Sequence, residues 1–398
     1  VAHLRGSDLV AVLEPPGPEW LAIVAEAWAA GAAVLALDHR LPASRVGDLI
    51  ARAGPTAIVR DGAVARLGGG EPVGVGVGLV MATSGSSGPP KLAELSHEAL
   101  AAALGASAAR IGAERFDPWL CCLPVSHMGG MLVLARALVQ GSPVEVHRGF
   151  DVERVTAAAR AGVRFVSLVP TMLHRLLEAG TDLAAFGAIL IGGAALDPEL
   201  RARAEAAGAN VIHTYGSTET CGGVVYDGAP LDGVEIAIQA ADRQILVRGP
   251  TLMRGFRLDP LATAAAFTPN GWLLTGDAGW LGPRGLQVRG RLDDAIVTGG
   301  EKVWPADVEA ALRSHPGVAD VLVAGAADVG WGQRVRAFVV AADPADPPSL
   351  ADLRAHASRT VPGYALPREL TLVSEVPRTV GGKPIRADAD GRRSDPRP

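Results

Sequence analysis

Short β-branched runs alternate with stretches of helical periodicity through the first half of the chain, and few folds accept that alternation. Leu9–Leu13 reads as a strand, Glu19–Ala30 as a helix, Ala33–Leu37 as a strand, Ala43–Arg52 as a helix and Ala57–Arg60 as a strand. The pattern resumes at Leu79–Ala82, Cys121–Val125, Val144–His147, Phe165–Val169, Ala188–Ile191 and Val211–His213, with helices between. Strands joined through helices must run parallel, and both faces of such a sheet are covered. The expected fold is therefore α/β: helix-covered parallel sheets in a large N-terminal domain. From Gly222 to Arg291 the helical period fades, and Glu235–Ile238, Gln244–Arg248 and Leu286–Arg289 sit between Gly and Pro turns as a small β subdomain. A small α+β C-terminal domain follows, with a helix at Pro305–Ser314 and strands at Ala319–Ala324 and Arg336–Ala341. The domain division falls at 1–292 and 293–398. The Arg-, Asp- and Pro-rich tail Asp388–Pro398 is expected to fray.

Charge and hydropathy exclude several classes. Net charge is −5 over 398 residues, against the basic footprint that nucleic-acid binding needs. The best apolar run, Met131–Val139, is interrupted by Arg136 and is too short to span a bilayer. No basic-then-apolar leader opens the chain, and Cys121, Cys122 and Cys221 make no metal or disulfide spacing. These features lead to an expectation of a cytoplasmic protein. Of 37 basic residues three are lysines, Lys91, Lys302 and Lys383, and each stands beside a Gly-containing loop. Lysine's compact charge on a flexible stem is hard for arginine to replace at a phosphate.

The segment from Met81 to Lys91, MATSGSSGPPK, follows a strand and combines small residues, hydroxyls and a terminal cation. Backbone N–H groups in such a loop can approach phosphate oxygens closely. It is neither a Walker A loop nor a nucleophile elbow, since the lysine and serine offsets are wrong for both. A flexible connection is the alternative for the loop taken alone.

The loop resembles the signature of the adenylate-forming superfamily of acyl-CoA synthetases, luciferases and peptide-synthetase adenylation domains, and five further segments resemble that family in its order. They are GGAAL from Gly192, YGSTE from Tyr215, TGD from Thr275, GRLDD from Gly290 and VPRTVGGK from Val376. The resemblance implies ATP, Mg²⁺ and coenzyme A as small-molecule partners of a carboxylic acid. It implies phosphate contacts from Thr83, Ser84, Gly85, Ser86, Ser87, Gly88, Lys91 and Thr218. The turn Gly193-Ala194-Ala195 would hold the adenine, Tyr215 and Gly216 would cover it, and Asp277 and Arg291 would meet the ribose. Glu219 would hold Mg²⁺, a hard cation that takes oxygen ligands. Lys383 would bridge the acid and the α-phosphate during adenylation. Asp293 would be the hinge on which the C-terminal domain turns, bringing Gly299 and Gly300 to a pantetheine tunnel for the second half-reaction.

PVSHMGG from Pro124 and the stretch from Thr214 to Val234 are similar to the o-succinylbenzoate–CoA ligases of menaquinone synthesis. That resemblance implies an acid with two carboxylates, with His127 and Ser217 near it and Arg136 as the partner of the ring carboxylate. A solvated helix face is the other reading of Arg136. Ser126 and Gly129 depart from the usual residues, so another aryl- or acyl-CoA ligase remains an alternative, as does a binding-only relative. A homodimer is compatible with the sequence.

Overall fold

The computed structural model describes residues 4–83, 90–378 and 386. Its compact units divide after Ala237, Ile245 and Thr275. Two seven-stranded sheets build the first unit. One contains β1 (Leu9–Leu13), β2 (Ala33–Ala36), β3 (Ala57–Arg60), β4 (Ala63–Arg66), β5 (Val77–Ala82) and β6 (Leu92–Ser96), with the two-residue strand Gly255–Phe256 at one edge. Its centre, in the order β5, β2, β1, β3, is parallel, whereas β6 and β4 pair antiparallel at the two sides. Helices α1 (Glu19–Ala29) and α2 (Ala43–Ala53) supply the crossovers. The central strands are apolar on both faces, as a doubly covered sheet requires, and every residue of β2 is buried.

The second sheet contains β7 (Trp119–Cys121), β8 (Val144–Val146), β9 (Phe165–Leu168), β10 (Ala188–Ile191), β11 (Val211–Ser217) and β12 (Gly222–Tyr226). It is parallel from β8 through β7, β9 and β10 to β11, and β12 returns antiparallel. Trp119 and Phe165 stack at 4.9 Å between ring centroids beneath it, each about fully buried. Burying one such ring contributes about 2–3 kcal/mol. Helix α3 (His97–Ile111) starts where the Ser96 hydroxyl accepts the Ala99 N–H and stops at left-handed Gly112. Helix α4 (Met128–Gln140) begins directly after His127.

Parallel strands form both centres as expected, and antiparallel strands flank them. The edge β4 has four exposed residues and β6 carries Glu94 among apolar neighbours, so neither shows the apolar run of a covered strand. Arg257 explains how Glu94 is kept inside. It forms an ion pair with Glu94 at 3.0 Å and gives further N–H groups to the carbonyls of Ala53, Glu71 and Pro72. A buried cation is tolerated when its donors are satisfied in this way.

The second unit starts earlier than the 292/293 division drawn where the mixed C-terminal pattern begins. Strands Leu273–Gly282 and Gly285–Arg291 pair as an antiparallel hairpin of the small β subdomain, Asp277 opposite Arg291. Arg289 then salt-bridges Asp307 at 2.7 Å and lies over Trp304, tying the hairpin to helix Pro305–Arg313. Compactness therefore follows these contacts. The hinge at Asp293 concerns movement, and belongs to the functional proposal. Beyond it, Val318–Asp328 and Gly332–Ala341 form a long antiparallel hairpin, with Glu369–Leu372 added in parallel. Its own core includes Val308, Leu312, Val321, Val339 and Leu353.

All three cysteines are buried and free. Burial pushes the thiols of Cys122 and Cys221 up to about 12, and that of Cys121 higher still. No helix among the described residues is long and apolar enough to cross a membrane.

Candidate active site

The loop following β5 in the first sheet and the loops following β10 and β11 in the second carry the candidate motifs of the first unit. Strand β5 leads into Thr83, which is buried and whose N–H bonds to the Lys91 carbonyl at 2.8 Å. That bond closes the base of the loop. Ser84, Gly85, Ser86, Ser87 and Gly88 lie outside the described residues. The Lys91 ammonium stands 4.9 Å from the centroid of the Phe256 ring.

After β10 the chain turns through Gly192 and left-handed Gly193. A Cβ on Gly192 would come within 2.7 Å of the Thr214 hydroxyl, so glycine lets the turn lie against β11. The same hydroxyl donates to the Ile191 carbonyl, and the His213 ring nitrogen Nε2 lies 3.4 Å from the Ala194 carbonyl oxygen. Burial lowers the pKa of His213, so a neutral ring with Nε2–H donating fits this contact. Ala195 is exposed next to it.

The segment Tyr215–Glu219 leaves β11 across a bulge between Tyr215 and Gly216. No side chain fits at Gly216, where a Cβ would fall 1.9 Å from the Gly222 carbonyl oxygen. Thr220 is fully buried and fixes the turn. Its hydroxyl accepts the Ser217 N–H at 2.8 Å and contacts the Gly222 carbonyl at 2.8 Å. The hydroxyl has one proton and two lone pairs, which suits it to both jobs. The Thr218 carbonyl receives the Cys221 N–H, and the Glu219 carbonyl receives the Met253 N–H. Among the described residues no hydrogen bond or ion pair engages the Glu219 carboxylate. A half-buried carboxylate held by its backbone, with its oxygens uncommitted to these neighbours, suits a hard divalent cation.

His127 is exposed at the head of α4, and its carbonyl receives the N–H groups of Gly130 and Met131. It also lies close enough to Asp38 to help lower that carboxyl's pKa, behind the larger effect of the Arg40 hydrogen bond. Arg136 sits nine residues further on, and its place corrects the reading of it as a solvated helix face. It is 3% exposed, so it is no solvated helix face. Its guanidinium lies 3.9 Å from the Trp119 ring centroid and donates to the Ser107 hydroxyl at 2.7 Å and to Gln140 at 3.3 Å. Ser107 in turn bonds the Tyr226 hydroxyl at 2.8 Å. No acidic partner is present among the described residues, and burial pulls the Arg136 pKa down to about 10. Two of its donors are thus taken by protein side chains.

In the second unit Asp277 and Arg291 face each other across the hairpin, with Arg291 Nη1 3.4 Å from the Asp277 carboxylate. The two residues named together from the sequence are thus neighbours in the fold. Asp293 is exposed on the turn Leu292–Asp294. Gly299 and Gly300 form a two-residue turn between Ile296–Thr298 and Glu301–Val303, both with positive φ. Such a hairpin turn selects glycine. The turn rests on Trp331: a Cβ on Gly299 would meet the indole at 2.6 Å, and the Gly299 N–H bonds the Trp331 carbonyl at 2.9 Å. Arg368 lies 4.1 Å from the Trp331 ring centroid. Neither Trp331 nor Arg368 was singled out from the sequence, and their wide separation from the glycines left no signal there. Lys383 lies outside the described residues, although Arg378 and Arg386 on either side of it are described.

Two family models match the chain: AMP-binding enzyme over residues 77–257, and AMP-binding enzyme C-terminal domain over residues 307–383. A probable 2-succinylbenzoate–CoA ligase of Mycobacterium tuberculosis is 44% identical over 330 residues, covering 80% of this chain and 85% of that protein. A 2-succinylbenzoate–CoA ligase of Bacillus subtilis is 32% identical over 330 residues, covering 77% of this chain and 67% of that one. Among solved structures, o-succinylbenzoate CoA synthetase from Bacillus subtilis with the acyl-adenylate intermediate OSB-AMP superposes with a TM-score of 0.87. The match covers 98% of this chain and 89% of that chain at 28% identity.

Proposed function

Since the chain belongs to the AMP-binding enzyme family, we propose that it is an AMP-forming ligase joining 2-succinylbenzoate to coenzyme A. The relation that carries the substrate is the 44% identity to a probable 2-succinylbenzoate–CoA ligase across most of both chains. Retention of Glu219, Asp277 and Lys383 supports catalysis over a binding-only role.

The reaction has two steps. In the first, a carboxylate oxygen attacks the α-phosphorus of ATP and pyrophosphate leaves. The difficulty is bringing two anions together, so positioning and charge compensation dominate. Lys383 supplies the compensating charge between acid and α-phosphate. Glu219 and Thr218 stand on a turn fixed by Thr220, and Glu219 would hold the Mg²⁺ that offsets the charge of the phosphates. Asp277 accepts the ribose hydroxyls while Arg291 restrains its carboxylate. The turn Gly193–Ala195 and Tyr215 take the adenine, and Thr83 and Lys91 frame the phosphate loop. In the second step the coenzyme A sulfur attacks the acyl carbon of the mixed anhydride and AMP leaves. Gly299 and Gly300 present bare backbone to the pantetheine, and turning at Asp293 exchanges the lysine for this turn. His127 and Ser217 would lie beside the acid.

The test is thioester formation with ATP, Mg²⁺ and coenzyme A from 2-succinylbenzoate, benzoate and medium-chain fatty acids in parallel. The ligase reading expects 2-succinylbenzoate to have the highest kcat/KM, by roughly 100-fold or more. A higher value for another acid would keep the mechanism and remove the substrate.

A further inference from the structure

Lys383 is flanked in sequence by two arginines whose side chains are held by carboxylates. On its N-terminal side Arg378 donates to both oxygens of Asp320 at 2.9 and 2.8 Å. On its C-terminal side Arg386 contacts three elements at once. One arm bonds Glu309 Oε1 and the Val323 carbonyl, and the other reaches Glu309 Oε2 at 3.3 Å. Its Nε lies 3.6 Å from Asp294 Oδ2. Glu309 is itself 6% exposed and accepts the Val323 N–H at 2.8 Å. The guanidinium therefore joins helix Pro305–Arg313, strand Val318–Asp328 and the turn Leu292–Asp294.

The last of these contacts separates Arg386 from an ordinary structural ion pair. Asp294 is the neighbour of Asp293, where the domain is expected to turn. Lys383 precedes Arg386 by three positions in the sequence. A planar fork that grips a buried carboxylate bidentately fixes direction as well as distance. We propose that Arg386 is a positioning residue for adenylation, setting the lysine-bearing segment relative to the hinge through Glu309 and Asp294. This rests on the reading of Lys383 as the adenylation lysine.

Two half-reactions measured on the full chain separate that role from mere stability. ATP–pyrophosphate exchange with 2-succinylbenzoate reports adenylation, and thioester formation from prepared acyl-adenylate with coenzyme A reports transfer. Arg386→Ala is expected to lower the exchange kcat about 10- to 100-fold, with KM for ATP and acid and the transfer rate each changed less than about 3-fold. Arg386→Lys should recover part of the exchange. Adding Glu309→Gln to Arg386→Ala should cost little more, because the two act as one unit. An equal fall in both half-reactions, no fall in exchange, or additive losses in the double variant would overturn the proposal. If Arg386→Ala does not fold, Arg386→Lys decides alone: a loss confined to exchange supports the role, and a shared loss or none ends it. Lys383→Ala run alongside distinguishes the two levels. Selective loss of its exchange with Arg386→Ala unaffected sinks the Arg386 role and leaves the lysine's, whereas exchange retained by Lys383→Ala removes both.

Discussion

Arg136 and Arg386 are both enclosed arginines, and they are enclosed in opposite ways. Arg136 is surrounded by neutral groups, namely an indole face, a serine hydroxyl and a glutamine. Arg386 is surrounded by Glu309 and Asp294. The first arrangement uses the long side chain as packing material with a few donors to satisfy. The second uses charge and geometry to join separate segments. The same residue type thus fills a core in one region and fixes a junction in the other.

Removing a partner should expose the difference most strongly at Glu309. Glu309→Ala leaves the Val323 N–H and the Arg386 fork without their shared acceptor, and is expected to cost about 3 kcal/mol in urea unfolding. A cost below about 1 kcal/mol would mean that the junction is not an energetic unit. Next comes Arg136, where shape matters more than charge. Arg136→Ala should cost about 2–3 kcal/mol by opening a cavity, and Arg136→Met about 1 kcal/mol because its partners are neutral. Equal costs for alanine and methionine would break the contrast. Both Arg136 variants should also change KM for 2-succinylbenzoate and for benzoate alike. A rise confined to 2-succinylbenzoate would restore Arg136 as the partner of the ring carboxylate.

The smallest effect is expected at Asp294, whose pKa burial raises despite the opposing pull of Arg386. Its native form holds a proton more tightly than the unfolded chain does. Its contribution to stability is therefore fully present below the unfolded value of 3.8 and is lost as pH rises through the raised native value. Asp294→Asn should remove that part of the pH dependence, read from unfolding midpoints between about pH 3 and 6. At neutral pH it should change stability by less than about 1 kcal/mol. An unaltered pH profile would show that Asp294 titrates as an ordinary surface acid.

The sequence was most readable where periodicity and special backbone coincided. The apolar run ending at Ala82 announced β5 and the loop after it, and the YGSTE segment placed glycine at Gly216, where no side chain fits. The motifs named Asp277 and Arg291 together, and the hairpin that sets them opposite each other came only with the structure. The antiparallel strands β4 and β6 were less visible, because exposed or mixed residues do not make a covered strand's pattern. The burial of Arg136 was hidden for a definite reason. A cation eight places into a helix reads as solvent-facing, or as a ligand, until its neutral neighbours are seen. Trp331 could not be joined to Gly299 from sequence, since their contact spans the turn from one strand pair to another.

The buried cysteines bear on what an activated acyl group meets. A mixed anhydride reacts with any accessible thiolate, and a thiol with a pKa of about 12 is ionised to roughly one part in ten thousand at pH 8. The protein's own sulfurs are therefore both enclosed and protonated, and the acceptor thiol has no internal rival for acylation. The same property makes the chain a blank background for chemistry at sulfur. One cysteine introduced at an exposed position such as Val329 would react alone with a maleimide dye, and domain rotation could then be followed by fluorescence.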